Sequence, residues 1–285
     1  MADATEQLER TEGDYVAMQR NYYDERASNL DEARVLVHPD FGLAQAQAVP
    51  TQAHALLEVI QRTYVARSGG KVLDVLKQAS TPPRQLRILD FGCGVGRLMK
   101  PLTEAGFRVD GVDISERMLS FARDEPALKD SQFFRSGGDD CGAAPEAAYD
   151  FVYSYLCFQH ICSRDVRNRL LASIKRALRP GGVVLIQMHY YPDRSAATAP
   201  APHMPWSGDN FDATVTNGCA DVWPTPDELH LVVEDFSRHF EDLRLQFVNF
   251  PRTTKLFTEA YNSWFGHLIV SGTTTHSVAA RLYAA

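Results

Sequence analysis

The chain has 285 residues, 45% of them hydrophobic, which is enough for one sizeable core with an appendage. Its formal net charge of -7 argues against a nucleic-acid partner, because domains that bind a polyanion usually carry a basic surface. No apolar run reaches the roughly 18 residues that a membrane span needs, the charged N-terminus is unlike a targeting peptide, and five cysteines without a Cys-x-x-Cys pair fit reduced thiols. We therefore expect a cytoplasmic protein with no membrane span and no metal site.

The first element is an amphipathic stretch over residues 17–26, which contains two adjacent tyrosines, Tyr22 and Tyr23. The second is the most informative part of the chain. Residues 87–97 begin as an apolar run, which predicts a buried parallel strand, and continue into three alternating glycines. Glycines allow positive φ angles and let a ligand approach bare backbone. This pattern predicts a loop that binds a small molecule.

The spacing in this loop narrows the kind of ligand. A dinucleotide fingerprint requires a third glycine where this chain has Arg97. Asp90, two residues before Gly92, suits a cationic amino-acid group and would repel a pyrophosphate at the start of the next helix. The ligand is therefore expected to be positively charged.

The elements that follow alternate between strands and helices. A helix is predicted over about 163–178 from the spacing of its apolar residues, and it ends where Arg179-Pro-Gly-Gly182 interrupts it. Residues 192–209 form a long loop rich in proline and alanine, which is either a lid or a plain linker. A helix then starts at Thr225 with a capping pattern. The predicted strands are 107–113, 132–135, 149–154, 183–188, 243–248 and 267–270.

Residues 86–190 resemble class I S-adenosylmethionine-dependent methyltransferases of small-molecule type. The resemblance rests on three features: the glycine loop, the acid that ends the second strand, and a helix followed by Pro-Gly-Gly and a strand. A weaker resemblance covers residues 225–272. The resemblance as a whole implies an α/β fold with a Rossmann-like, doubly wound seven-stranded sheet, mostly parallel with an antiparallel edge strand. Residues 1–80 are then an N-terminal helical cover, and residues 81–285 the catalytic domain with an acceptor-site insertion at 192–224.

The resemblance implies S-adenosyl-L-methionine as cofactor and S-adenosyl-L-homocysteine as product. In the family the glycine loop cradles the methionine part, and an acid at the tip of the second strand binds the ribose hydroxyls. Here that acid is Asp113, which could instead only cap the helix that starts at Ser115. Asp139 or Asp140 is expected near the adenine amino group. The candidate cofactor residues are Asp90, Gly92, Cys93, Gly94, Arg97, Asp113, Ile114, Met118, Gly138, Asp139 and Tyr155.

The chemistry implied by the resemblance is in-line displacement at the sulfonium methyl group, for which the protein aligns and, where needed, deprotonates the acceptor. His160 follows the fourth strand and is the leading candidate base, although a structural role is equally open. Phosphoethanolamine methyltransferases resemble this chain in the core motifs and pair a histidine with an N-terminal tyrosine. The candidate catalytic residues are His160, Tyr22 and Tyr23, and the candidate acceptor residues are Gln159, His160, His189, Tyr190 and Trp206, with Trp264 and His267 weaker.

The expected partner is a small-molecule methyl acceptor of specialised metabolism, methylated on O, N or C. Residues 154–157 read Ser-Tyr-Leu-Cys, where methyltransferases of DNA carry a Pro-Pro-Tyr or Pro-Pro-Phe signature, so nucleic acid is disfavoured. Two other hypotheses remain open: an aminopropyltransferase-like relative, and a catalytically silent nucleoside-binding partner subunit. The pattern contains no indication of oligomeric state.

Overall fold

The computed structural model describes residues 11–28, 86–190, 203–204, 206–207, 221–248 and 266–274. Its helices and strands alternate along the chain as the sequence pattern predicts. The helices are α1 Glu12–Arg26, α2 Met99–Glu104, α3 Glu116–Arg123, α4 Arg164–Ala177 and α5 Leu229–Ser237. The strands are β1 Arg87–Phe91, β2 Arg108–Asp113, β3 Phe133–Arg135, β4 Tyr149–Ser154, β5 Leu178–Tyr190, β6 His203–Met204, β7 Asp221–Val222, β8 Glu241–Val248 and β9 Gly266–Thr273.

Seven of these strands form one sheet in the order β3-β2-β1-β4-β5-β9-β8. Strands β1 to β5 run parallel, whereas β9 is antiparallel to both of its neighbours, β5 and β8. The predicted fold, a mostly parallel seven-stranded sheet with antiparallel pairing at one edge, is confirmed. The strand order reverses between β1 and β4, and a crevice therefore opens beyond their carboxyl ends.

Helices cover both faces of the sheet because successive strand residues point to opposite sides. Ile88 packs into a cluster that contains Leu102 of α2. Its neighbour Leu89 belongs to a second cluster, which contains Leu170 of α4 and Phe236 of α5. The apolar run in β1 is thus buried on both sides, as a central parallel strand requires.

The junction between α4 and β5 shows how local sequence ends one element and begins another. Ser163 Oγ accepts a hydrogen bond from Val166 N at 3.2 Å and caps the start of α4. Strand β5 begins earlier than the predicted 183–188, since Leu178 already pairs with Tyr149. The register then shifts across the Pro-Gly-Gly segment, where Gly181 has a φ of 72°.

The C-terminal elements also follow the predicted pattern. The Glu228 carboxylate accepts hydrogen bonds from Thr225 N and Oγ1 at 3.3 and 3.2 Å, and a 3-10 turn over Pro226–Glu228 leads into α5. Trp264 and most of the 192–209 loop lie outside the described residues. None of the helices in the described ranges has the length and hydropathy needed to cross a membrane.

Candidate functional site

A cavity of about 970 Å³, including space open to solvent, lies at the carboxyl ends of β1, β2, β3 and β4. Its walls come from the loops that follow these strands and from one face of α1. The sheet topology explains this position, because the reversal of strand order leaves the crevice uncovered by the crossover helices. The residues that line it are Gln19, Tyr23, Phe91, Gly92, Cys93, Gly94, Val95, Arg97, Asp113, Ile114, Met118, Ser136, Gly138, Tyr155, Leu156, Cys157, His160 and Ile161.

The glycine loop after β1 has the backbone conformation that its sequence predicts. Gly92 and Gly94 have φ angles of 79° and 53°. A Cβ on Gly92 would lie 2.4 Å from Cys157 Sγ, so any side chain there would clash. At Gly94 no atom lies within 4 Å of the corresponding position, which leaves space for a ligand against the backbone.

Asp113, at the end of β2, connects the glycine loop to the start of α3. Its Oδ2 accepts a hydrogen bond from Gly94 N at 2.8 Å, and its Oδ1 accepts one from Ser115 N at 2.9 Å. Burial raises the pKa of Asp113 to about 6, although these N–H donors oppose the rise. Ser115 Oγ itself caps α3 by accepting from Met118 N at 3.1 Å. Each Asp113 oxygen keeps a second lone pair that can accept from a ligand hydroxyl.

Asp90 lies in β1 and is almost fully buried, but it is not among the residues that line the cavity. Tyr153 donates its hydroxyl hydrogen to Asp90 Oδ2 at 2.9 Å. Burial raises the pKa of Asp90 to about 8, an effect that Asp113 adds to and Arg97 opposes. At neutral pH the group therefore holds a proton, and a cation bound nearby would lower this pKa and favour the carboxylate.

Helix α1 borders the cavity and is held by polar contacts at its middle and near its C-terminal end. Gln19 Nε2 donates to the backbone carbonyl of His160 at 3.1 Å. Near the end of the helix, Ser115 Oγ donates to Asp24 Oδ1 at 2.5 Å. Tyr23 lies between these two contacts and lines the cavity. The helix thus forms part of the site and is not a detached extension.

The structure brings together most, but not all, of the predicted site residues. Those that line the cavity are Tyr23, Gly92, Cys93, Gly94, Arg97, Asp113, Ile114, Met118, Gly138, Tyr155 and His160. Those that do not are Tyr22, Asp90, Asp139, Gln159, His189, Tyr190 and Trp206.

The loop after β3 places neither adenine candidate in the cavity wall. Asp139 Oδ2 forms an ion pair with Arg169 Nε at 2.8 Å on the surface. Asp140 Oδ1 instead accepts from Gly137 N at 2.9 Å and from Gly142 N at 2.8 Å, which closes the loop on itself. Ser136 and Gly138 are the residues that this loop contributes to the cavity.

Trp206 is fully buried and is not among the residues that line the cavity. Its Nε1 donates to Asp235 Oδ2 at 2.9 Å, and the Arg167 guanidinium carbon lies 4.2 Å from the centre of its ring. These contacts give Trp206 a structural position between α4 and α5.

The remaining acceptor candidates are not among the residues that line the cavity. Gln159 Oε1 accepts from His189 N at 3.2 Å, and Gln159 Nε2 lies 3.3 Å from His189 Nε2. The His189 ring packs edge-on against Trp223 with centroids 5.0 Å apart. The Tyr190 ring packs against Phe247 at 4.9 Å.

The segment 154–160 after the fourth strand is expected from its position to border the cleft, and Leu156 and Cys157 of this segment line the cavity. Sequence reasoning missed five other lining residues: Gln19, Phe91, Val95, Ser136 and Ile161. Most flank a predicted motif, and their proximity to it was the available signal. Gln19 is the exception, because it reaches His160 across 141 positions of sequence. No local pattern encodes such a contact.

Comparisons with known proteins agree on one kind of domain. Residues 88–182 match the family model described as a methyltransferase domain. The chain is 30% identical over 142 residues to malonyl-[acyl-carrier protein] O-methyltransferase of Pectobacterium atrosepticum, covering 50% of this chain and 51% of that protein. It is 36% identical over 105 residues to phosphoethanolamine N-methyltransferase 2 of Caenorhabditis elegans, covering 36% of this chain and 23% of that protein. The chain thus spans about half or less of the length of the curated relatives that it matches.

Among solved structures, the chain is similar to phosphoethanolamine N-methyltransferase 2 of Haemonchus contortus in complex with phosphomonomethylethanolamine and S-adenosylhomocysteine. The TM-score is 0.50 at 18% identity, covering 76% of this chain and 57% of that one. At this level of identity, the similarity supports a shared fold.

Proposed function

We propose that this chain, in which residues 88–182 form a class I S-adenosylmethionine-dependent methyltransferase domain, methylates an oxygen, nitrogen or carbon atom of a small-molecule acceptor. The observation that carries the proposal is the bond between Asp113 and Gly94, because it joins the candidate ribose-binding acid to a glycine loop with open space in front of it. The cavity in front of this loop is open to solvent, and a relative named for methylation of phosphoethanolamine supports a small-molecule acceptor.

The residues present fit this cofactor. Asp113 would accept from the ribose hydroxyls, and the backbone of residues 92–94 would hold the methionine end, with Asp90 behind it as a partner for positive charge. Ile114 and Met118 would flank the adenine. When bound, the cofactor supplies an electrophilic methyl group on a sulfonium. The task left to the chain is to exclude water, orient the acceptor and move its proton.

His160 is the base in this proposal. It lies on the cavity wall beyond β4, and its backbone carbonyl is fixed by Gln19 of α1. A neutral imidazole in this position can take a proton from an acceptor hydroxyl or amine. Tyr23 rather than Tyr22 is its proposed partner, because Tyr23 lines the cavity while Tyr22 packs against the Tyr23 ring at 5.3 Å.

The test has two steps. Calorimetry with S-adenosylhomocysteine measures cofactor binding, and labelled S-adenosylmethionine is then offered with a panel of small acceptors. We expect binding and methyl transfer by the wild type, and a loss of about 10²- to 10⁴-fold in turnover for His160→Ala with unchanged cofactor affinity. Wild-type turnover by His160→Ala would leave His160 with a structural role only. Turnover with decarboxylated S-adenosylmethionine alone would indicate aminopropyl transfer instead, and failure to bind the nucleoside would overturn the proposal.

A further inference from the structure

A fixed positive charge lies in the wall of the cavity. Among the described residues that line it, Arg97 is the only lysine or arginine, and Asp113 is the only aspartate or glutamate. The two lie in different loops, since Asp113 ends β2 and Arg97 lies between the glycine loop and α2. The cavity therefore offers separate positions to hydroxyl donors and to a negatively charged group of the ligand.

The chain places Arg97 beside the part of the site proposed for the methionine end of the cofactor. Arg97 directly follows Gly96, whose N–H donates to the Cys93 carbonyl at 2.9 Å and closes the glycine loop as a tight turn. Gly94 of the same turn has open space in front of its backbone, and both Gly94 and Arg97 line the cavity. Arg97 thus borders the glycine loop on the side that a ligand can enter.

The surroundings of Arg97 favour a ligand that carries negative charge. Its side chain is half-buried, and burial lowers the pKa of Arg97 while Asp90 opposes this decrease. A guanidinium nevertheless stays charged in a protein, and partial loss of hydration strengthens its attraction to an anion. Asp90 itself has a pKa of about 8 and is mostly protonated at neutral pH. An anionic group that enters the cavity therefore meets little competition from Asp90.

The proposed cofactor carries one carboxylate, which lies at its methionine end. A guanidinium binds a carboxylate through two parallel N–H donors, a stronger and more specific contact than a single neutral hydrogen bond. Asp113 would repel the same carboxylate, because like charges disfavour each other. With the ribose at Asp113, the carboxylate is left to the part of the cavity wall that contains Arg97.

We propose that Arg97 makes the site specific for a cofactor with an intact carboxylate, which its guanidinium binds. The chain then discriminates S-adenosylmethionine from its decarboxylated form, the sulfonium nucleoside from which an aminopropyl group can be transferred. This specificity favours methyl transfer over aminopropyl transfer before any acceptor binds. The inference rests on the proposed methyltransferase function.

The experiment is titration calorimetry of the full chain with three nucleosides that differ in their side chain. S-adenosylhomocysteine has the carboxylate and the amine, its decarboxylated analogue keeps the amine alone, and methylthioadenosine has neither. We expect the wild type to bind S-adenosylhomocysteine about tenfold to a hundredfold more tightly than the decarboxylated analogue. Arg97→Met removes the charge from a side chain of similar length and should abolish this preference.

Two further variants and one ligand separate recognition from a structural effect. Structural damage would weaken binding of all three nucleosides, whereas loss of recognition leaves the affinity of Arg97→Met for methylthioadenosine at the wild-type value. Arg97→Lys keeps the charge without the planar fork and should keep part of the preference. Arg108→Met removes the same charge from an exposed residue at the start of β2, the end of the strand away from the cavity, and should bind all three as the wild type does.

The outcomes are distinguishable. A wild type that binds none of the three nucleosides overturns the proposed function itself. A wild type that binds them but does not prefer S-adenosylhomocysteine to the decarboxylated analogue overturns the role of Arg97 alone, and so does a preference that persists in Arg97→Met or disappears in Arg108→Met. If Arg97→Met does not fold, a structure of the wild type with S-adenosylhomocysteine decides: a carboxylate on the Arg97 guanidinium supports the inference, and a carboxylate held by other donors overturns it.

Discussion

At the scale of single residues, Asp113 has the most connected position in the site. One carboxylate joins the loop after β1, through Gly94, to the start of α3, through Ser115. The two N–H donors partly offset the cost of burying its charge. A ligand hydroxyl that binds here thus meets a group whose position is already set.

We expect Asp113→Asn to weaken binding of S-adenosylhomocysteine about tenfold to a hundredfold, because the amide replaces one charge-assisted acceptor by a donor. Titration calorimetry measures the change. Asp139→Asn is the matched control, since Asp139 lies outside the cavity lining and is paired with Arg169. Equal affinities for the wild type and Asp113→Asn would remove Asp113 from the nucleoside site.

Asp90 makes stability depend on pH in an unusual direction. Its pKa is about 8 in the folded chain, against an ordinary value of 3.8, so the folded state binds the proton more tightly than the unfolded state. The free energy of unfolding should therefore fall as pH rises between about 4 and about 8. Asp113, with a pKa of about 6, acts in the same direction over a narrower range.

Urea denaturation of the wild type and Asp90→Asn at pH 5, 6, 7 and 8 tests this linkage. The variant has no proton to lose at this position, so its stability relative to the wild type should increase with pH. Taking the difference between the two proteins cancels groups of opposite sign, such as Asp235, whose pKa is lowered chiefly by its hydrogen bond with Arg164 against the effect of burial. A constant difference across these pH values would contradict the assignment.

At the scale of elements, α1 is bound to the domain along one face. Its contacts recur at helical spacing and reach loops that are far apart in the sequence. They join Glu12 to Arg169, Val16 to Gly138, Gln19 to His160 and Asp24 to Ser115. Because two of these partners line the cavity, docking of α1 and the shape of the site depend on each other.

Gly138→Ala should loosen α1. A Cβ on Gly138 would lie 2.3 Å from Val16 Cγ1, and its φ of 120° is strained for any other residue. We expect faster tryptic cleavage at Arg20 and weaker binding of S-adenosylhomocysteine. Adding Val16→Ala should restore part of both, since it removes the clash but not the strain.

Gly137→Ala is the control for this pair, because its new Cβ would lie 3.1 Å from Asp140 Oδ2 and would not meet a side chain of α1. Cleavage at the wild-type rate in Gly138→Ala would mean that α1 does not depend on this contact.

At the scale of the whole molecule, a cluster around Arg167 connects Trp206, helices α4 and α5, and the cavity wall. Arg167 of α4 is fully buried and donates to the carbonyls of Ile161 and Cys162 at 2.6 and 2.9 Å, and also to the Trp206 carbonyl. Asp235 of α5 binds the other side of Trp206. Trp206 is thus held between α5 and the backbone that follows His160.

We expect Trp206→Ala to lower the free energy of unfolding by about 3–5 kcal/mol, because it empties a fully buried site. Trp206→Phe keeps most of the packing but loses the hydrogen bond to Asp235, so it should lower the free energy of unfolding by about 1 kcal/mol. Urea denaturation compares both with Phe247→Ala, at a half-exposed ring of the edge strand. Near-native stability of Trp206→Ala would show that the cluster around Arg167 does not depend on Trp206.

The order of elements and the glycine loop were predictable because they depend on neighbouring residues. Apolar periodicity defines the strands, and the positive φ of Gly92 and Gly94 follows from their lack of a side chain. The confirmed sheet, with β9 antiparallel at one edge, follows from this alternation together with the family resemblance. Asp113 at the tip of β2 was visible for the same reason, since the end of a strand is a local property.

Only the tertiary structure decided which side chains share the cavity. Asp139 and Ser136 lie in the same loop, yet an ion pair with Arg169 holds Asp139 on the surface while Ser136 lines the site. Gln187 reads in sequence as one more position of a buried strand, and its hydrogen bond from Leu156 N at 2.8 Å forms only in the completed fold. Such contacts join residues distant in sequence, and their energies depend on the packing of the completed fold.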